Sequence, residues 1–131
     1  MNTRIAACSC GQLSARVTGE PVRNSICHCL ACQRRTGSVF GQQARFLREN
    51  VAISGRSTAY ARTGDEGSTA IFHFCPQCGA TVYYEPGGLD AYVGIPVGAF
   101  ADPDFPAPTV SVYEERMHPW VGLPADIEHH P

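Results

Sequence analysis

Apolar and polar residues alternate with a period of two along most of this chain, the pattern of strands that bury one face. Leu13, Ala15 and Val17 alternate with polar neighbours and end at Gly19-Glu20-Pro21, which reads as a strand and a turn. Ser38 to Phe46 continues in extended style, with glycine at 37 and 41. Val51 to Ser54 is a short strand stopped by Gly55, and Ser57 to Thr63 alternates around Tyr60 into a hairpin-like turn at Gly64-Asp65-Glu66-Gly67. Ala70 to Phe74 runs straight into Cys75. Thr81-Val82-Tyr83-Tyr84 is rich in β-formers, and Ala91 to Ile95 is another strand. Three prolines between Asp102 and Pro108 mark a loop, and Thr109 to Tyr113 is the last clear strand. The helical candidate is the turn Gln33-Arg34-Arg35-Thr36 after Cys32. With no internal repeat or linker, the pattern predicts a single antiparallel, mainly β domain over residues 1–131, stapled where metal sites tie distant strands together.

Composition agrees with this picture and narrows the partners. Thirteen glycines and ten prolines in 131 residues suit short strands joined by turns. The net charge of -2 gives no general attraction to nucleic acid or to acidic membranes. All ten basic residues are arginine, whose planar fork matches carboxylates. Met1 to Ala7 lacks the apolar core of a signal peptide, and no apolar run approaches a membrane span. Clustered thiols without an export signal point to a reducing cytoplasm.

The seven cysteines stand in three groups: Cys8-Ser9-Cys10, Cys27-His28-Cys29-Leu30-Ala31-Cys32 and Cys75-Pro76-Gln77-Cys78. Neighbours this close pair poorly as disulfides but share a metal readily, since a tetrahedral thiolate site takes two ligands from one short loop. Seven divides as four plus three, a closed structural site and a site with an open position. Spacing permits two partitions. Cys29 and Cys32 could join Cys75 and Cys78, leaving Cys8, Cys10 and Cys27. Alternatively Cys8, Cys10, Cys75 and Cys78 combine and Cys27, Cys29 and Cys32 remain as one triad, crowding one side of an ion and freeing the other.

The stretch Cys8-Ser9-Cys10-Gly11, the Cys27 to Cys32 cluster with Gly37 after it, and Phe74-Cys75-Pro76-Gln77-Cys78-Gly79 resemble the glutathione-dependent formaldehyde-activating enzyme family, also described as the GFA or centromere-protein-V domain. Val97 to Pro103 and His118-Pro119-Trp120-Val121 extend the resemblance over nearly the whole chain. It implies a zinc-stapled fold of several small antiparallel sheets, the β-tent or zinc-containing β-complex fold. It implies a structural zinc on Cys8, Cys10, Cys75 and Cys78 and a catalytic zinc on Cys27, Cys29 and Cys32. Many relatives carry a basic residue directly after the third triad cysteine; this chain has Gln33, followed by Arg34 and Arg35.

A three-thiolate zinc is a modest Lewis acid and suits thiolate exchange. The expected chemistry is a carbon–sulfur lyase reaction of the S-(hydroxymethyl)glutathione synthase type. A small thiol such as glutathione adds reversibly to formaldehyde or a related aldehyde, with Arg34 and Arg35 receiving the thiol's carboxylates. The alternative is a non-catalytic zinc-stabilised β interaction module, in which the triad would be closed by a fourth protein ligand. Thiol redox chemistry ranks below both, because no cysteine is left outside the metal sets. Exposed strand edges leave room for an oligomer.

Several other residues invite a role. His28 sits between two ligands, but extended backbone turns its side chain away from theirs, to a position behind the ligands or at the surface. His73 reads as a core or hydrogen-bonded group, His129 and His130 as a disordered end, and Trp120 as a core anchor. Tyr83 and Tyr84 alternate, so one of them is expected to face a cavity. Asp102-Pro103 reads as a turn.

Overall fold

The computed structural model describes residues 1–64 and 67–131. The described residues form two sheets. The smaller holds β1 (Thr3–Ala7), β2 (Ser14–Thr18) and β5 (Val51–Ser54) in the order β1-β2-β5. The larger contains β3 (Arg23–Cys27), β4 (Gly41–Leu47), β6 (Thr58–Thr63), β7 (Thr69–Phe74), β8 (Thr81–Glu85), β9 (Tyr92–Pro96), β10 (Val110–Val112) and β11 (Glu128–His130). Its order is β11-β10-β3-β4-β9-β8-β7-β6. The mainly β architecture thus agrees with the alternation in the sequence. Asp65 and Glu66, half of the predicted 64–67 turn, lie outside the described residues; beside them Gly64 N–H donates to Ser68 O at 2.9 Å.

Two features depart from the sequence reading. Pairing is not antiparallel throughout, because β10 runs parallel to both β3 and β11. The proline-rich segment at 102–108 carries the chain from β9 to the far side of β3, and a crossover of that kind brings a strand in parallel. The predicted disorder at the C-terminus is also wrong. His129 and His130 belong to β11, and they pair with Glu114 at 2.6 Å and Glu128 at 2.8 Å.

The two faces of the large sheet differ in chemistry, and that difference makes the site. Ala44 pairs with Ile95 and Phe46 with Val93, and these four are buried against Leu13, Ala15 and Val17 of the small sheet's side. Phe100 closes this core edge-on to Phe46 at 6.2 Å. Burial of each of the larger side chains, such as Phe46, Ile95 and Leu13, is worth about 1.5–3 kcal/mol. The other face carries an unbroken cross-strand row: Arg23 on β3, Arg45 on β4, Gly94 on β9, Tyr84 on β8 and Phe72 on β7. Cross-strand partners point the same way, so one side of the row's strands is oil and the other is a polar floor.

The predicted helical turn is α1 (Leu30–Thr36), which begins three residues earlier than expected. Cys29 caps it, accepting the Cys32 N–H on sulfur at 3.3 Å, and Gly37 ends it at φ 71, where a side chain would be strained. Trp120 is no core anchor: it is 72% exposed, on a turn closed by the Val121 N–H to His118 O bond, which gives its indole no sheet to pack on. No helix among the described residues is long and apolar enough to cross a membrane.

Candidate functional site

The fold gathers its seven cysteines into two clusters, one assembled from distant parts of the chain and one from a short stretch. Cys8 and Cys10 lie on the loop after β1, and Cys75 and Cys78 on the knuckle after β7. Their four sulfurs all lie within 4.8 Å of one another. Cys10 Sγ is 3.6 Å from both Cys8 Sγ and Cys75 Sγ. Each knuckle turns on a glycine with positive φ, Gly11 at 83° and Gly79 at 81°. Amide donors aim at the sulfurs: Leu13 N–H at Cys8 (3.3 Å), Gln77 N–H at Cys75 (3.3 Å) and the Gln12 side-chain amide at Cys75 (3.0 Å). Burial opposes ionisation of Cys75, but these donors outweigh it and bring its pKa down to about 6. Cys10 goes the other way, to about 11: the Gln12 backbone N–H favours its thiolate, but desolvation and the neighbouring thiols prevail.

The second cluster is Cys27, Cys29 and Cys32, again with all sulfurs within 4.8 Å of one another. Strand β3 delivers Cys27 as its last residue, and the first turn of α1 supplies the other two. Hydrogen bonds from the Cys27 and Cys29 thiols hold Cys32 far below the usual thiol range, helped by the Arg35 charge and by the Gln43 amide, which donates to Cys32 Sγ at 3.3 Å. Cys27, which donates, is pushed upward.

Only the triad, of the two clusters, borders the large cleft, which has a volume of about 780 Å³ and is floored by the polar sheet face. Among the described residues, Arg23, Arg34, Arg45, Arg62 and Arg116 line it against one carboxylate side chain, Glu115. None of these five arginines forms an ion pair with a carboxylate among the described residues. Arg23 and Arg45 are direct cross-strand partners, a like-charged juxtaposition that is unfavourable until an anion joins it.

Arg34 reaches the cleft, whereas Arg35 folds beneath it with its guanidinium carbon 5.3 Å from the Phe72 ring centroid. Gln33 faces no substrate: it donates to His28 O at 2.8 Å and Arg116 O at 3.2 Å, and pairs with His118 at 3.2 Å, tying α1 to the segment at 116–118. His28 lies outside the triad but is fully buried rather than at the surface, with Nε2 3.1 Å from Ser111 Oγ. His73 is hydrogen-bonded, as its position suggested, to Glu85 at 2.7 Å and Ser57 at 3.1 Å, and stacks on Tyr83. Asp102 forms a turn, accepting the Asp104 N–H at 2.9 Å.

Of the tyrosine pair, Tyr84 is the one that lines the cleft. Its ring lies over Gly94 and stacks on Phe72 at 5.2 Å. Burial pushes its pKa up to about 12, so the phenol stays neutral well above physiological pH and keeps its O–H as a hydrogen-bond donor. Sequence reasoning missed Arg23, Arg45, Arg62 and Phe72. The spacing Arg23-x-Ser25-x-Cys27 was the available signal, since on a strand it aligns an arginine with a ligand cysteine on one face.

None of the curated proteins matches this chain. The fold is similar to that in the crystal structure of a Rhodobacter sphaeroides protein, a Northeast Structural Genomics target, with a TM-score of 0.57 over 72% of this chain and 85% of that one. The two are 22% identical, which speaks to the fold alone. The sequence profile described as glutathione-dependent formaldehyde-activating enzyme matches residues 3–116, which include both thiol clusters and most of the cleft, and on that match the chain belongs to the glutathione-dependent formaldehyde-activating enzyme family.

Proposed function

We propose that this chain, acting as one unit over residues 1–131, catalyses the reversible addition of a small thiol such as glutathione to formaldehyde or a related aldehyde, giving an S-hydroxymethyl thiol. The observation that supports this reading is the contrast between its clusters. Four cysteines converge from two knuckles away from the cleft, whereas three converge from one short loop at the cleft wall.

Both donor sets fit zinc. A zinc–sulfur bond of about 2.3 Å in a tetrahedron sets ligand sulfurs about 3.8 Å apart. The spacing of Cys8 and Cys75 from Cys10 is 3.6 Å. Cys8, Cys10, Cys75 and Cys78 would close a structural site; Cys27, Cys29 and Cys32 would hold a second ion with one position open. Bound there, zinc supplies acidification of an incoming thiol and holds it as thiolate.

The chain's own residues do the rest. The Gln43 amide stabilises charge on Cys32. Arg23 and Arg45, with Arg34 at the rim, receive the carboxylates of the thiol. As the carbon–sulfur bond forms, the carbonyl π pair moves onto oxygen, where the neutral Tyr84 hydroxyl donates a hydrogen bond. The proton lost by the thiol ends on that oxygen, and the reverse steps cleave the bond. Chemistry on free thiols suits a reducing cytoplasm.

Cys29→Ser tests the assignment. The expected result is loss of one metal equivalent of two together with loss of thiol–aldehyde adduct turnover. Loss of that metal with turnover unchanged would sink it.

A further inference from the structure

Formaldehyde is small and uncharged and needs no cation beside it, yet this cleft and the layer beneath its floor hold cations in excess of what one thiol substrate uses. Arg23 and Arg45 stand four residues along their strand from the triad end of β3, about 13 Å away at strand rise, and suit a remote carboxylate of the thiol. A separate pair lies elsewhere. The guanidinium carbons of Arg35 and Arg62 are 5.3 and 4.8 Å from the centroid of one ring, Phe72, which is itself braced by Tyr84.

Arg35, one member of this pair, is adjacent to the triad, and Arg62 meets it over the same ring. A Cβ built at Gly41, the cross-strand partner of Cys27, would sit 3.1 Å from Arg35 Nη2 and 3.5 Å from Cys32 Cβ. The pair is also unsatisfied. Among the described residues, Arg35 Nε, Arg35 Nη2 and Arg62 Nε are buried without an acceptor. The ring face compensates a guanidinium only in part. Two cations over one ring repel, and buried donors without acceptors are costly. An oxyanion at this point removes both penalties.

We propose that Arg35 and Arg62, seated over Phe72, form an anion subsite for the electrophile, and that the aldehyde this chain prefers carries a carboxylate on the carbon next to its carbonyl. The inference rests on the thiol-addition reading above and adds the substrate class to it. The step stays balanced: the thiol sulfur bonds to the carbonyl carbon, the π pair goes to oxygen, the thiol proton joins that oxygen, and the carboxylate is unchanged. A carboxylate matches the planar fork of arginine, and a two-carbon acid is short enough to reach from the triad to the neighbouring Arg35.

The test compares glyoxylate with its neutral methyl ester as electrophiles, at fixed glutathione, in the metal-loaded protein. The expected kcat/KM ratio of acid to ester is about tenfold to a hundredfold, the size of a charge-assisted pair. Arg62→Gln should lower that ratio about tenfold, whereas Arg16→Gln, an exposed arginine on β2 with the same charge change, should leave it unmoved. Equal turnover of acid and ester, or a ratio that Arg62→Gln does not lower, overturns the subsite while leaving the thiol-addition reading intact. Should no adduct turn over at all, that reading fails, and calorimetric binding of glycolate decides the subsite separately. Binding that weakens about tenfold in Arg62→Gln but not in Arg16→Gln supports it, and binding that is equal in all three proteins overturns it.

Discussion

Replacing Gly94 by alanine probes whether the cleft floor is built as described. A Cβ at Gly94 would lie 2.1 Å from Tyr84 Cζ, 2.2 Å from Cε1 and 2.6 Å from the hydroxyl oxygen. Carbon–carbon contacts sit near 3.5–4.0 Å, so the ring must move by more than an ångström. It has little freedom to do so, because it is stacked on Phe72 at an interplanar angle of 24°. Over-packing of this kind costs about 1–3 kcal/mol. With a urea slope of about 2 kcal/mol per molar, the midpoint should fall by about 0.5–1.5 M. The assay is urea unfolding followed by far-ultraviolet circular dichroism, with metal content matched between proteins. Tyr84→Ala supplies the control: in that background the Gly94→Ala step should cost less than about 0.5 kcal/mol, because the clash has been removed. A Gly94→Ala protein as stable as the parent, or a loss that persists undiminished without the Tyr84 ring, would refute the reasoning.

Two further outcomes follow from the same geometry. Graded chelation should release the triad's metal first with little change in circular dichroism, because Cys27 to Cys32 are neighbours in sequence; loss of the second metal should unfold the chain. That second ion closes a loop spanning the 65-residue separation of Cys10 and Cys75, worth about 4 kcal/mol in chain entropy, and a single concerted release would contradict the division. In an alkaline titration of the ultraviolet phenolate band, one of the five tyrosines should ionise late, near the pKa of about 12 held by Tyr84, and Tyr84→Phe should abolish that late step. The sign for stability follows: a tyrosine in the unfolded chain ionises near pH 10, so Tyr84 contributes no pH dependence below that, and stability falls as pH rises from about 10 to about 12. A late step that survives in Tyr84→Phe would assign it to another residue.

Local chemistry is what the sequence carried well. Alternation and runs of β-forming residues located β2, β5 to β10 and most of β4; β2 shows the physical reason most cleanly, with Ala15 and Val17 buried and Arg16 exposed between them. The knuckle at Cys75 to Gly79 was legible because its proline and glycine are demanded by the turn itself. Strand β3 was not: Arg23-Asn24-Ser25-Ile26-Cys27 sets a polar asparagine on the buried side, bonded to the carbonyls of Pro106 and Ala107, which breaks the alternation. Strand β11 escaped for a similar reason, since three exposed polar residues pair only through backbone to β10.

Which cysteines share a centre was not decided by spacing, since Cys29 and Cys32 have the same two-residue gap as Cys75 and Cys78. Tertiary structure decided it, because the loop after β1 reaches the knuckle after β7, while the cysteine at the end of β3 clusters with the two at the start of α1. The arginine cleft has the same origin. Arg23, Arg45 and Arg62 are scattered in the chain and look like solvated surface charges. They share one floor because strands far apart in sequence are hydrogen-bonded neighbours in the sheet, and pleating turns their side chains to the same side. The residue types alone therefore determined that thiolate metal chemistry was available to this protein. Only the order and register of the strands set the three-cysteine cluster beside a field of arginines.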